Sequence, residues 1–275
     1  MLTHERLGEL NQIARRIRSN IVTAIYYGGS GHPGGSLSCV EILTALYFHV
    51  MNIDPENPGL PDRDRFILSK AHAAPALYAT LTERGYFPKE WLKTFSHDDS
   101  RLQKHIDMHL VPGVDVSGGS LGQGLSIGVG MALAARIDQS ERRIFVCLGD
   151  GELDEGQNWE AAMSAAHYKL NRLTAIVDRN CLQVDGTTDC VMNLEPLEDK
   201  WRSFGFHTLK VDGHDVGRMI TALDQARQYT EVPTVILAQT VKGKGISFIE
   251  NRVEWHAGSL TKEQADLALA ELREN

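Results

Sequence analysis

A chain of 275 residues, 42% hydrophobic and with a formal net charge of −8, is long enough to bury roughly 70–75% of its unfolded surface without staples. The acidic balance gives no electrostatic reason for nucleic acid or an anionic membrane as a main partner, and no run of 18 apolar residues offers a membrane span. Four dispersed cysteines (Cys39, Cys147, Cys181 and Cys190) form no C-x-x-C pair, and the charged N-terminus lacks a signal core, so a reduced, cytoplasmic protein is expected.

Leu7, Leu10, Ile13, Ala14, Ile17, Ile21 and Ile25 recur at helical steps and predict a long amphipathic helix that Gly28-Gly29 stops. A glycine-rich loop, Gly31-His32-Pro33-Gly34-Gly35, follows. Ser38 to Glu41 has capping-box spacing and predicts a second helix through about Val50. Five apolar runs read as buried strands: Arg65–Ser69, Ile144–Leu148, Leu173–Val177, Thr208–Val211 and Thr234–Gln239. Helical patterns around Pro75–Arg84, Leu121–Ile137, Asn158–Tyr168 and Val216–Tyr229 separate most of them, and Thr261–Glu274 reads as a final helical arm. Strands alternating with helices predict a three-layer α/β/α arrangement with a mostly parallel sheet, in one domain over residues 1–275. Ligands of such sheets bind beyond the carboxyl ends of the strands, so the residues just past each strand are the first candidates.

The run Arg142-Arg-Ile-Phe-Val-Cys-Leu ends in Gly149-Asp150-Gly151, and the next strand ends in Asp178-Arg179-Asn180, with Asn180 thirty residues after Asp150. That is one βαβ unit, whose crossover brings neighbouring strand tips together. A hard cation such as Mg²⁺ takes oxygen ligands, usually a carboxylate or two plus phosphate oxygens. Asp150 supplies charge, Asn180 a neutral oxygen, and the backbone carbonyl of Leu182 a third ligand. Gly151 is expected to let a phosphate approach the backbone and to open a helix N-terminus. A simple Asp-Gly turn and an Asn loop cap give the same letters. His32, His72, His105 and His256 lie beyond strand ends or in glycine-rich loops, suited to proton exchange near neutrality or to structural hydrogen bonds. The other seven histidines (4, 49, 97, 109, 167, 207 and 214) read as structural or solvent-facing. Lys242 and Lys244 form either a solvated basic turn or a phosphate contact.

The GDG…Asn pattern resembles the thiamine diphosphate fingerprint. Further segments, Ser30–Ser36, Ser69-Lys-Ala-His72-Ala, Pro112–Gly124, Gly149–Gly156 and Lys242–Gly245, resemble transketolase motifs in transketolase order. The resemblance covers nearly the whole chain but only the N-terminal, diphosphate-binding half of a full-length transketolase, so the chain resembles the N-terminal subunit of a split transketolase. It implies the thiamine diphosphate-binding fold. It also implies Mg²⁺ on Asp150, Asn180 and Leu182, with diphosphate contacts from His72, Gly151, Asn180 and His256. Gly119 and Leu121 would lie against the aminopyrimidine with Gln123 nearby, though a glycine-rich turn packing at a helix start fits the same residues. His32, His105 and His256 would meet the sugar. Glu155 resembles the acid that connects two active sites across a dimer, although a helix N-terminus favours Glu by its dipole alone.

Family behaviour further implies that the thiazolium C2 carbanion attacks a ketose phosphate, cleaves C2–C3 and passes a two-carbon unit to an aldose. The partner implied is a C-terminal transketolase subunit carrying the pyrimidine-binding domain and the activating glutamate, with two copies of each chain and sugar phosphates as substrates. Two departures stand out. Lys104-His105-Ile106-Asp107 replaces the usual Gly-His-Pro-Asp, and Ala257 replaces Gly after His256. Rival readings are a deoxyxylulose-phosphate synthase or 2-oxo acid dehydrogenase half-subunit, or a non-catalytic binding module on the same scaffold.

Overall fold

A computed structural model describes residues 2–274; residues 1 and 275, the ends of the expected domain, lie outside the described residues. The helices are α1 (His4–Gly28), α2 (Pro33–Ser38), α3 (Val40–Ala45), α4 (Ala74–Arg84), α5 (Gln123–Ile137), α6 (Gly156–His167), α7 (Thr188–Val191), α8 (Leu197–Ser203), α9 (Val216–Gln228) and α10 (Lys262–Glu274). The strands are β1 (Arg65–Leu68), β2 (Ile144–Gly149), β3 (Leu173–Arg179), β4 (His207–Asp212) and β5 (Thr234–Gln239). They form one sheet in the order β1-β2-β3-β5-β4, and every pairing is parallel. The expected three-layer α/β/α architecture is therefore present.

Alternation along each strand divides the core in two. Phe66, Phe145, Cys147, Ile176 and Ile236 face the layer of α1, α3, α4, α9 and α10; Val146, Leu148, Ala175, Val177 and Val235 face α5, α6 and α8. Both faces are covered, which is why β2 and β3 read as unbroken apolar runs rather than alternating ones. Each fully buried Val, Leu, Ile or Phe contributes about 1.5–3 kcal/mol of transfer free energy. Thr3 caps α1 by accepting from the Arg6 N–H at 3.2 Å, and Gly29 ends it in the left-handed region at φ 60°. α10 lies along α1, burying Ala265, Ala268 and Leu272.

Three local expectations need correction. Helix formation after the first glycine-rich loop starts at Pro33, not after Ser38, because proline's fixed φ and missing N–H suit the first helical turn. Nor do Ser38 and Glu41 form a capping box: the Ser38 hydroxyl donates to Asp178, and Glu41 receives a two-pronged bond from Arg18. The helix is also interrupted at Cys39, and its last stretch, Leu46–Val50, widens into a π turn. Finally, Gly151 opens a short 3₁₀ turn (Gly151–Asp154), and α6 starts only at Gly156, because the Gly151 N–H is donated to Asp150 Oδ1 at 2.8 Å. Among the described residues, no helix is long and apolar enough to cross a membrane.

Candidate active site

Four strand tips meet at one corner. β1 leads into Lys70 and His72, β2 into Asp150, Gly151 and Glu152, β3 into Asn180 and Leu182, and β5 into Lys242. Together with Gly35, Leu121, Gln183 and His256 they line a cavity of about 110 Å³. Eight of the residues picked out in the sequence (His72, Leu121, Asp150, Gly151, Asn180, Leu182, Lys242 and His256) are thus brought together. His32 joins them at the rim, its ring centroid 5.4 Å from His72 and 5.5 Å from His256; His72 and His256 stack at 5.3 Å. The loops carrying His32 and His256 are tied by paired backbone bonds between Gly31 and Gly258, both 2.9 Å. Gly34 allows this approach, since a Cβ there would stand 2.8 Å from the Trp255 carbonyl oxygen.

His105 and Gly119 are neighbours outside the cavity lining, a Cβ on Gly119 falling 3.5 Å from the His105 ring. Their two loops are fastened by the Gly118 N–H on the Ile106 carbonyl at 3.0 Å. Glu155 is exposed at the N-cap of α6, against Gly122, and does not line the cavity. Gln123 points to α6, exchanging hydrogen bonds with Gln157. Lys244 pairs with Glu250 at 3.4 Å, outside the cavity, whereas Lys242 is buried in it.

The oxygens are already engaged. Asp150 Oδ2 accepts from the Cys181 N–H at 2.6 Å and from Arg179 at 3.4 Å. Asn180 Oδ1 accepts from the Leu182 N–H at 3.1 Å, and the Leu182 carbonyl accepts from Lys242 Nζ at 3.0 Å. Burial, then the neighbouring Asp178 charge, raises the Asp150 carboxyl above its ordinary value. An added cation beside Asp150 would relieve both. Among the described residues no group of three His, Cys, Asp or Glu could hold a metal. One carboxylate, one amide and one carbonyl is instead a set for a hard cation that completes its shell with phosphate oxygens.

The opposite wall is basic. Burial brings Lys242 down to about 8, with the Lys70 charge adding to the effect. Burial brings His256 down to about 4, with Lys242 and His32 adding to it. His72 is held well below its usual value by burial, then by Lys70 and His256. His32 is lowered by burial and by His105, Lys104 and Lys242. Two ammonium groups and three imidazoles, whose charged forms burial and neighbouring positive charge disfavour, form a surface that an anion would stabilise by drawing protons onto it.

Sequence reasoning missed the supports beneath. Asp178, fully buried, pairs with buried Lys70 and accepts from the hydroxyls of Ser38 and Thr240. Burial opposes the Asp178 charge, but Lys70 and the hydroxyls outweigh it and hold the carboxyl below its usual value. Glu152 accepts from the Gly122 and Gly149 N–H groups, both at 2.9 Å, and from Ser69, fastening the second glycine-rich loop to β2. His214 accepts from the Val241 N–H on Nε2 at 2.7 Å, so its proton sits on Nδ1, 2.9 Å from Glu41. A charged residue directly after an apolar strand pattern was the available signal for both Lys70 and Asp178.

A larger cleft of about 480 Å³ opens at the other end of the sheet, among Arg136, Lys169 and Arg172. Both arginines are committed to backbone carbonyls there, and none of the residues picked out in the sequence reaches it.

An all-parallel sheet with oxygen and imidazole groups gathered at its carboxyl edge defines a class, and comparison with known proteins gives it a family. Residues 10–273 match the transketolase thiamine diphosphate-binding domain family, and the chain belongs to that family. It is 48% identical over 264 residues to the 6-deoxy-6-sulfo-D-fructose transketolase subunit SqwG of Clostridium sp., covering 96% of each chain. It is 45% identical to an apulose-4-phosphate transketolase subunit of Actinobacillus succinogenes, covering 97% of this chain and 96% of that one. A transketolase crystal structure from Pichia stipitis superposes with a TM-score of 0.91 at 31% identity, over 97% of this chain and 41% of that one. The chain thus spans about two fifths of the solved transketolase, and nearly all of the relatives named as subunits.

Proposed function

We propose that the chain is the diphosphate-binding subunit of a two-chain transketolase, moving a two-carbon ketol unit from a ketose phosphate to an aldose with thiamine diphosphate and Mg²⁺. The observation that carries this reading is the single corner where Asp150, Asn180 and the Leu182 carbonyl face Lys242 and the His32, His72 and His256 cluster. Asp150, Asn180 and Leu182 would hold the metal; His72, Gly151, Lys242 and His256 would hold the diphosphate. When bound, thiamine diphosphate supplies the carbon nucleophile that the protein lacks. His256 from the cavity lining and His32 from its rim, both rings shifted toward the neutral form by burial, would accept or donate protons at the sugar oxygens, with His105 presented from the adjoining loop. Lys242, which donates to the Leu182 and Gln183 carbonyls, would be placed to turn its charge to the phosphate if the Leu182 oxygen served a metal.

Two features support a partner chain. The cavity, at about 110 Å³, is well under the roughly 300–1,000 Å³ of pockets that enclose a ligand, so the rest of the cofactor needs another surface. α5 turns Ile127, Gly130, Ala134 and Ile137 outward, with Met163 of α6 also exposed. The relatives named as subunits favour a partner chain; in the proposed assembly it is a pyrimidine-binding chain, with two copies of each. The test uses this chain assembled with its partner: Asp150→Ala should abolish Mg²⁺-dependent retention of thiamine diphosphate and, with it, ketol transfer. Retention equal to the unaltered complex would refute the assignment.

A further inference from the structure

The loop over residues 180–196 carries two of the three oxygens assigned to the metal; Lys242 and Asp150 hold its first residues, and Arg179 also reaches its far end at Glu195. Arg179, the last residue of β3, is 5% exposed and its guanidinium reaches in two directions. One nitrogen donates to Thr188 Oγ1 at 2.8 Å and approaches Asp150 Oδ2 at 3.4 Å. The other donates to Glu195 Oε1 at 3.0 Å and stands 4.0 Å from Asp189 Oδ1. The loop between these contacts is folded back on itself: the Thr188 N–H donates to the Cys181 carbonyl at 3.0 Å, and Leu182 bridges Thr187. The Cys181 N–H meets Asp150 on the same oxygen that Arg179 faces.

We propose that Arg179 is the positioning residue of the cation corner, clasping the 180–196 loop onto the β3 tip so that the Asn180 and Leu182 oxygens stay opposite Asp150. The proposal rests on reading that corner as the Mg²⁺ site. A guanidinium suits the task because its planar fork holds several acceptors in fixed directions, which the single point charge of lysine does not. Its firmest bonds are to the loop, at 2.8 and 3.0 Å, and the one to Asp150 is the longest, so it holds the loop more tightly than the carboxylate. Groups that orient metal ligands in this way typically change metal affinity about 10–100-fold when removed.

The experiment is a Mg²⁺ titration of thiamine diphosphate binding to the assembled two-chain complex, followed by equilibrium dialysis, with melting temperature measured alongside. Arg179→Gln should raise the half-saturating Mg²⁺ concentration about 10–100-fold. Arg179→Lys should recover little of this, and Glu195→Gln should shift it in the same direction by less. Should Arg179→Gln fail to fold, Glu195→Gln decides, its half-saturation point rising at unchanged melting temperature. An unshifted titration in the folded variants, with or without a lower melting temperature, overturns the proposal for Arg179. Binding that ignores Mg²⁺ in the unaltered complex, or an Asp150→Asn variant that titrates normally, overturns the underlying reading of the corner instead.

Discussion

Lys70→Met tests whether the floor of the site is an electrostatic unit. Lys70 and Asp178 are 1% and 0% exposed, and the lysine also donates to the Gly35 carbonyl at 2.8 Å. Removing one member of a buried ion pair costs about 3–5 kcal/mol, because the remaining charge is left without its partner or water. Asp178 would keep the Ser38 and Thr240 hydroxyls, which places the expected loss near the lower end, about 3 kcal/mol. At roughly 2–4 °C per kcal/mol for a chain near this size, the melting temperature should fall by about 6–12 °C. Urea denaturation, followed by the fluorescence of the four tryptophans, measures the free energy directly. Adding Asp178→Asn to Lys70→Met should recover at least half of the loss, since a neutral amide can accept one hydroxyl on its oxygen and donate its N–H to the other. A Lys70→Met cost below about 1 kcal/mol, or costs that simply add in the double variant, would refute the reasoning.

Within the histidine cluster, His72→Ala should weaken thiamine diphosphate binding to the assembled complex more than His32→Ala, because His72 lines the cavity and His32 only its rim; equal shifts on titration would contradict that division. Stability should also depend on pH. The folded chain holds His72 well below its usual value and His256 at about 4, so below pH ~6.5 the unfolded chain binds more protons. The unfolding free energy should therefore fall as pH drops from about 6.5 toward 4, and less so in a His72→Gln/His256→Gln variant. Identical slopes for the two proteins in a series of urea melts would remove the cluster from the explanation.

β1, β2, β3 and β5 were legible because strands covered on both faces leave apolar runs, as Ile144–Leu148 shows, whereas β4, expected to be buried over Thr208–Val211, is half-buried or exposed at the sheet edge. The helices were legible where their period was long, as in α1 and α9. α8 was not: seven residues, two of them buried, carry too little pattern, and its Trp201 is fixed by packing against Trp159 and Phe206. Ser38 and Glu41 misled for an instructive reason. Their spacing fits a local cap, but their side chains satisfy Asp178 and Arg18, contacts 140 and 23 residues away. Asp150 and Asn180 stood out by position past strand ends, and the histidines by loop position together with the family resemblance. Arg179 and His214 could not, because their importance lies in what they brace.

The place of β5 bears on how the molecule is made. β4 precedes it in sequence but pairs with β5 alone, and the far edge of β3 also waits for β5. Until Gln239 has left the ribosome, β4 has no ladder to join, and the sheet is a three-stranded piece with an open side. Lys242 and His256 emerge later still, so, on the proposed assignment of both to the diphosphate, a nascent chain would lack part of its cofactor site during that closure. Final insertion of a strand between two others is a long-range event, and a folding assay should find it slow and dependent on chaperone protection of the exposed edge.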